Sequence, residues 1–327
     1  MKKLQSSRVL VTGGAGFIGS NLVEALLDQG NQVTCLDNFS TGKHKNIEVF
    51  LGHPMFTLIE GDIRDQATCH KACSGVEYVL HQAALGSVPR SINDPVTSTE
   101  VNIDGFVKML IAARDAGVKR FVYAASSSTY GDHQALPKVE DVIGKPLSPY
   151  AITKYVNELY AKVFADLYGM ETIGLRYFNV FGKRQDPEGE YAAVIPRFIR
   201  ALINGQAPII NGDGSQSRDF TYIDNVVQIN QLALLTTNHT AINTVYNVAF
   251  GENTTLNELY SYLIEFLSKH NPAISKILPI YGPNRQGDVK HSLASIEKAI
   301  SLLGYDPQYS LRGGLEIAID WYVKSLK

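Results

Sequence analysis

Cysteine is scarce: three residues, Cys35, Cys69 and Cys73, in a chain of 327. So small and odd a count excludes a disulfide framework and suits a reducing compartment. Cys69 and Cys73 stand four apart, but no further ligands follow at metal spacing, so no metal site is expected. No run of about 18 apolar residues occurs, and no transmembrane helix is expected. The opening MKKLQSSRVLVTGG imitates a secretory leader only briefly, because Val9-Leu10-Val11 runs into glycine. Together these absences point to the cytoplasm. An excess of basic charge is missing too. Thirty Lys and Arg face 32 Asp and Glu, a formal net charge of -2, which lacks the positive footprint of a nucleic-acid binder. At 19% charged and 45% hydrophobic residues, the chain is too apolar for intrinsic disorder. It has no evident internal repeat.

Glycine, by contrast, is plentiful at 27 residues, and its placement carries information. Short apolar runs alternate with helical patterns through the first 180 residues. Strands are expected at Arg8–Thr12, Gln32–Asp37, Phe56–Glu60, Tyr78–His81, residues 120–125 and Thr172–Tyr177, with a first helix over 18–29 closed by Gly30. Apolar strands separated by helices indicate parallel pairing with both faces covered. The expected fold is α/β, a doubly wound parallel Rossmann-like sheet. After about residue 180 the rhythm changes, with helices near 194–204 and 255–269 and a strand at Thr244–Val248. Residues 1–180 therefore read as a dinucleotide-binding domain. Residues 181–327 read mainly as a smaller C-terminal α/β substrate domain, with part of 218–250 returning to the sheet. Helices over 94–116 and 150–168 are long and apolar on more than one face, which favours a homodimer.

Thr12-Gly13-Gly14-Ala15-Gly16-Phe17-Ile18-Gly19 follows the first strand and opens the first helix. Gly13, Gly16 and Gly19 allow a tight turn, close approach of a pyrophosphate and helix packing on the strand. Asp37 ends the second strand, where a carboxylate accepts ribose hydroxyls and repels a 2′-phosphate. That favours NAD over NADP. Asp62 and Ile63 after the third strand and Gln82 after the fourth lie at strand ends where a dinucleotide would extend.

Tyr150-Ala151-Ile152-Thr153-Lys154 opens a helix after Ser148-Pro149, placing Tyr150 and Lys154 one turn apart on one face. A tyrosine of pKa about 10 is a poor base at neutral pH, and a nearby ammonium would bring that value down. Ser126, Ser127 and Ser128 stand at a strand's C-terminal end, where their hydroxyls can hold a substrate against the tyrosine oxygen.

The segments TGGAGFIGS, LDNFSTG, GDIRD, HQAALGSVPRS, SSSTYGD, SPYAITK, LRYFNVFG, SRDFTYIDNV and RQGDV span residues 12–289. On them the chain resembles the extended short-chain dehydrogenase/reductases, and most closely the UDP-hexose 4-epimerases, in the branch acting on N-acetylated sugars. The resemblance implies tightly held, recycled NAD, contacted also by Asn38, Ser40, Gly42 and Val180. It implies that Tyr150 takes the C4 hydroxyl proton and that Ser126 lies nearest the reacting carbon. The resulting 4-keto sugar would turn about its diphosphate and be reduced from the other face. Ser87, Ser127, Ser128, Asn179, Ala193, Val194 and Asn211 become candidate UDP-sugar contacts, while Arg218 and Arg285 resemble the arginines that clamp the diphosphate.

Sister reactions are disfavoured. The resemblance implies an Asp-Glu pair in the dehydratases where Ser127 and Ser128 stand here, and elimination without it lacks an acid/base couple. The glutamate of the decarboxylases is absent from the same turn, and a keto-reductase would more naturally use NADPH. A non-catalytic NAD-sensing regulator would not need Ser126, Tyr150 and Lys154. The resemblance implies tyrosine at the place of Ser292 in the strict glucose/galactose epimerases. Serine leaves room for an N-acetyl group, so UDP-GlcNAc to UDP-GalNAc is the expected reaction. UDP-glucose/UDP-galactose and UDP-N-acetylhexosaminuronates are the alternatives.

Overall fold

The first strand shows how sequence becomes sheet. In β1 (Arg8–Thr12) the side chains of Val9 and Val11 enter one apolar cluster and that of Leu10 another, all three fully buried. A strand alternates its side chains between faces, so an unbroken apolar run requires cover on both sides. The structure, a computed structural model, describes residues 3–187, 192–283 and 290–325. β2 (Gln32–Asp37), β3 (Phe56–Glu60), β4 (Tyr78–His81), β5 (Arg120–Ser126), β6 (Thr172–Tyr177) and β7 (Thr244–Val248) join β1 in one parallel sheet. Its order is β7-β6-β5-β4-β1-β2-β3. The chain winds outward from β1 in one direction and from β4 in the other. Between those strands the loops diverge, opening a crevice at their C-terminal ends.

Helix α1 (Phe17–Asp28) follows β1, and its Leu22 and Leu26 pack with Val9 and Val11. On the opposite face, Phe106 and Met109 of α2 (Gly105–Asp115) pack with Leu10. Residues 94–116 are not one regular helix. Pro95–Thr99 is α-helical, Glu100–Asp104 opens into a wider turn, and α2 follows. The buried Asn102 accepts from Leu85 N at 2.8 Å and donates to Leu85 O at 3.2 Å and Thr153 Oγ1 at 3.2 Å. These bonds satisfy an amide that a regular apolar helix face would have left unpaired.

Helix α3 (Pro149–Tyr168) starts where Ser148 accepts Ala151 N at 3.1 Å and Pro149 takes the first turn, the residue types that favour a helix start. That start puts Tyr150 at the crevice. Helices α4 (Val194–Ile203), α5 (Ile223–Leu235), α6 (Leu256–Ser268) and α7 (Leu311–Ser325) complete the first cluster. Short strand pairs knit the C-terminal part together: Ile209–Asn211 with Ile280–Gly282, and Ser217–Arg218 with Thr254–Thr255. Among the described residues no helix is long and apolar enough to cross a membrane.

Candidate active site

A cavity of about 460 Å³ lies at the C-terminal ends of β1, β2, β4, β5 and β6. The glycine loop forms its floor. Gly13 has a φ of +66°, and a Cβ there would stand 2.7 Å from Ala83 N; one on Gly19 would lie 2.1 Å from Gly13 O. Neither position tolerates a side chain. Gly16 precedes α1 without a side-chain cap, which leaves first-turn N–H groups free to meet a pyrophosphate. Asp37 accepts Ala15 N at 2.9 Å and Phe39 N at 2.8 Å. Burial raises its carboxyl above the ordinary value while those N–H groups pull it back. Two accepted bonds still leave a carboxylate capacity for ribose hydroxyls. These features fit a dinucleotide.

Asn38, Ser40, Ile63 and Val180 line the same cavity, as do Phe17, Ile18, Asp62 and Gln82. Asn38 Nδ2 donates to Asp62 at 2.9 Å. The Arg64 hydrogen bonds hold Asp62 down at about 2. Gly42 packs on Asp37, where a Cβ would approach Oδ1 to 2.8 Å. Gln82 Oε1 accepts Tyr177 OH at 3.1 Å, and the same hydroxyl receives Asn230 Nδ2 at 3.0 Å. Burial pushes the Tyr177 hydroxyl up to about 12, so it remains protonated. Burial brings His81 down to about 3, and this neutral imidazole shares a 2.9 Å hydrogen bond with Thr12 Oγ1. All three cysteines are buried thiols held at about 12, chiefly by desolvation.

Tyr150, Lys154 and Ser126 meet in this cavity. Tyr150 hydrogen-bonds to Ser126, and Ser126 Oγ accepts Ser128 Oγ at 2.9 Å and Ser128 N at 3.2 Å. Lys154 Nζ donates to Ala124 O at 2.9 Å, and burial lowers its pKa to about 8. The tyrosine differs from expectation. Burial raises its pKa and the Ser126 bond opposes the rise, while Lys154 does not contribute to lowering it. The order of titration accounts for this: Lys154, brought to about 8 by burial, has lost its charge before a tyrosine raised above its ordinary value ionises in the resting site.

A second cavity of about 570 Å³ opens beyond Ser126 and Asn179, which line both. Ser127, Ser128, Arg218 and Ser292 also line it. Asn179, at a φ of +35°, donates Nδ2 to Asp219 O at 2.9 Å. Ser292 N donates to Ser217 O at 3.1 Å. Ser87, Ala193, Val194 and Asn211 line neither cavity. Ser87 caps Val88–Asn93 by accepting Arg90 N at 3.1 Å, Ala193 precedes α4, Val194 begins it, and Asn211 ends a short strand. Arg285 lies outside the described residues.

Lys138, Asp219, Tyr177, Asn230 and Asn102 escaped the sequence reading. For Asp219 the signal was present, in the SRDF segment beside Arg218. Lys138 had none, since a lysine in a loop ordinarily reads as solvated. Among the described residues no group of three His, Cys, Asp or Glu side chains is placed to hold a metal ion.

Residues 9–249 match the family model described as "NAD dependent epimerase/dehydratase family". A protein of Methanocaldococcus jannaschii, described as a putative UDP-glucose 4-epimerase, is 38% identical over 96% of this chain and 97% of that protein. Among solved structures, the UDP-N-acetylglucosamine 4-epimerase of Methanobrevibacter ruminantium M1, in complex with UDP-N-acetylmuramic acid, superposes with a TM-score of 0.91 at 39% identity. It covers 98% of this chain and 100% of that one. The UDP-glucuronic acid 4-epimerase of Bacillus cereus, bound to UDP-glucuronic acid and NAD, gives a TM-score of 0.88 at 32% identity with the same coverage.

Proposed function

The chain belongs to the NAD-dependent epimerase/dehydratase family, and on that premise we propose that it 4-epimerises UDP-N-acetylhexosamines, preferentially UDP-GlcNAc to UDP-GalNAc. The observation that carries this reading is the junction of two cavities at Ser126, beside Tyr150 and Lys154. NAD fits the first cavity, and the hexose of a UDP-sugar fits the second at their meeting point. When bound, NAD supplies the acceptor of the C4 hydride and, once reduced, its donor.

The protein residues manage protons and position. Gly13, Gly16, Gly19 and Asp37 hold the dinucleotide, with Phe17, Ile18, Asn38, Ser40, Gly42, Asp62, Ile63, Gln82 and Val180 around it. Tyr150 takes the C4 hydroxyl proton and later returns it. Ser126, already bonded to Tyr150, holds the same oxygen in line. Lys154 contributes positive charge near the developing phenolate. Arg218 meets the diphosphate, where a guanidinium suits two oxyanions, and Arg285 is assigned the same role. Asn179, Ser127 and Ser128 contact the sugar. With serines at 127 and 128, a dehydratase's acid/base pair is missing.

The N-acetyl preference rests on Ser292, which lines the sugar cavity; the Methanobrevibacter relative's described activity supports it. Specificity constants for UDP-GlcNAc and UDP-glucose, measured on wild type and Ser292→Tyr, test it. The reading expects wild type to favour the acetylated sugar and Ser292→Tyr to depress that pair selectively. A wild-type preference for UDP-glucose would refute it.

Residues 1–180 are assigned to the cofactor and 181–327 mainly to the UDP-sugar. Exposed Ile152, Leu159, Val163 and Leu167 on α3 support a homodimer that covers this stripe. Three buried thiols support a cytoplasmic, reducing setting.

A further inference from the structure

Asn230 lines neither cavity, yet a chain of hydrogen bonds runs from it into the first. It sits fully buried on α5, where its Nδ2 donates to Val226 O, one turn earlier, at 2.8 Å and to Tyr177 OH at 3.0 Å. A carbonyl can only accept, so the Asn230 amide has a single orientation and turns its Oδ1 the other way. That oxygen faces Gln82 Nε2 at 3.4 Å, while Tyr177 OH donates to Gln82 Oε1 at 3.1 Å. Reversing the Gln82 amide would set two acceptor oxygens against each other. It would also leave the Tyr177 proton only the longer approach to Asn230 Oδ1, at 3.3 Å. A helix carbonyl thus decides, through Asn230, which way Gln82 points.

Gln82 and Tyr177 both line the cofactor cavity. Gln82 directly follows β4, which lies between β1 and β5 in the sheet. It therefore stands between the glycine loop and the Tyr150–Ser126 pair. Its Nε2 carries two N–H groups. One faces Asn230, and the other is bonded to no described residue. A donor shut away from water without an acceptor costs free energy, and the oxygens of a dinucleotide are acceptors.

We propose that Asn230 is a positioning residue for the cofactor: acting through Tyr177 and Gln82, it keeps a glutamine N–H turned toward the oxygens of the bound dinucleotide and slows its release. The proposal rests on the NAD reading and not on which sugar is turned over. Burial keeps the Tyr177 hydroxyl protonated, so the network holds its pattern throughout the neutral range.

The test follows the loss of NAD from purified holoprotein on dilution, by quantifying the dinucleotide that denaturation still releases. Wild type, Asn230→Leu, Gln82→Ala and the double variant are compared. One lost hydrogen bond predicts release about five- to tenfold faster in Asn230→Leu. Gln82→Ala should match it, and Asn230→Leu should add little once Gln82 is gone. An unchanged rate in Asn230→Leu overturns the proposal. So does an equal acceleration in both backgrounds, because a general loosening of the fold does not need Gln82. Tyr177→Phe removes one buried oxygen and carries the test if Asn230→Leu does not fold. It should speed release several-fold only where Gln82 is present, and a wild-type rate there overturns the proposal. A wild type that carries no dinucleotide overturns the NAD reading, and this proposal with it.

Discussion

Lys154 Nζ donates to the carbonyl of Ala124 at 2.9 Å, tying the helix that carries Tyr150 to the strand that ends in Ser126. One contact thereby fixes the spacing of all three groups. Burial brings the Lys154 ammonium to about 8 while raising Tyr150. A phenolate formed in turnover needs that ammonium charged, and the charge is lost as pH rises through about 8. Wild-type kcat should therefore fall on the alkaline side from about pH 8. Lys154→Met should lower kcat by about 100-fold or more and abolish that limb. Initial rates across pH check both.

Asp219 should govern substrate affinity. Its carboxylate accepts Phe250 N at 3.1 Å, Gly251 N at 3.2 Å and Ala294 N at 3.2 Å. Its backbone carbonyl holds Asn179, and Arg218 is its neighbour. Two lining residues of the second cavity, Asn179 and Arg218, are thus held by or adjoin this one residue. Burial raises its pKa to about 7, against the pull of those N–H groups. Protonation weakens an acceptor of three backbone donors, so KM for the UDP-sugar should rise as pH falls below about 7. Asp219→Asn should raise KM about tenfold, flatten its pH dependence and alter kcat far less. Steady-state kinetics at about pH 6 and about pH 8 separate this from a general loss of folding, which would reduce both constants.

Much of this was legible in residue order. Apolar runs marked the seven strands because a sheet covered on both faces needs them, and Gly13, Gly16 and Gly19 announced the crevice because no side chain fits between the first strand and its helix. What escaped is polar and long-range. Asn102, inside the widened turn of 94–116, pairs with Leu85, 17 residues away. Lys138 becomes buried only when its loop pairs with residues 293–295. The pKa of Tyr150 depended on how deeply it is buried, and four-residue spacing sets a shared face but neither that depth nor an anchor such as Ala124 O for Lys154.

The buried pair beneath the second cavity should dominate stability. Arg176 Nε and Nη2 meet the two Glu158 oxygens at 2.8 and 2.7 Å, and Nη1 donates to Glu140 O at 2.9 Å. The guanidinium also lies 4.9 Å from the Tyr130 ring centroid, and Tyr130 lines the cavity. Glu158→Leu strands the arginine charge and should cost about 3–5 kcal/mol. Urea unfolding measures the loss, and a change below about 1 kcal/mol would contradict it.

The account's centre is that C4 gives up its hydrogen and regains the same atom within one active site. Purified protein incubated in ordinary water with UDP-GlcNAc deuterated at C4, without added cofactor, tests this by proton NMR and mass spectrometry. UDP-GalNAc that keeps its deuterium at C4 is the predicted product. A product bearing solvent hydrogen at C4, or one that forms only with a stoichiometric external reductant, would contradict the account.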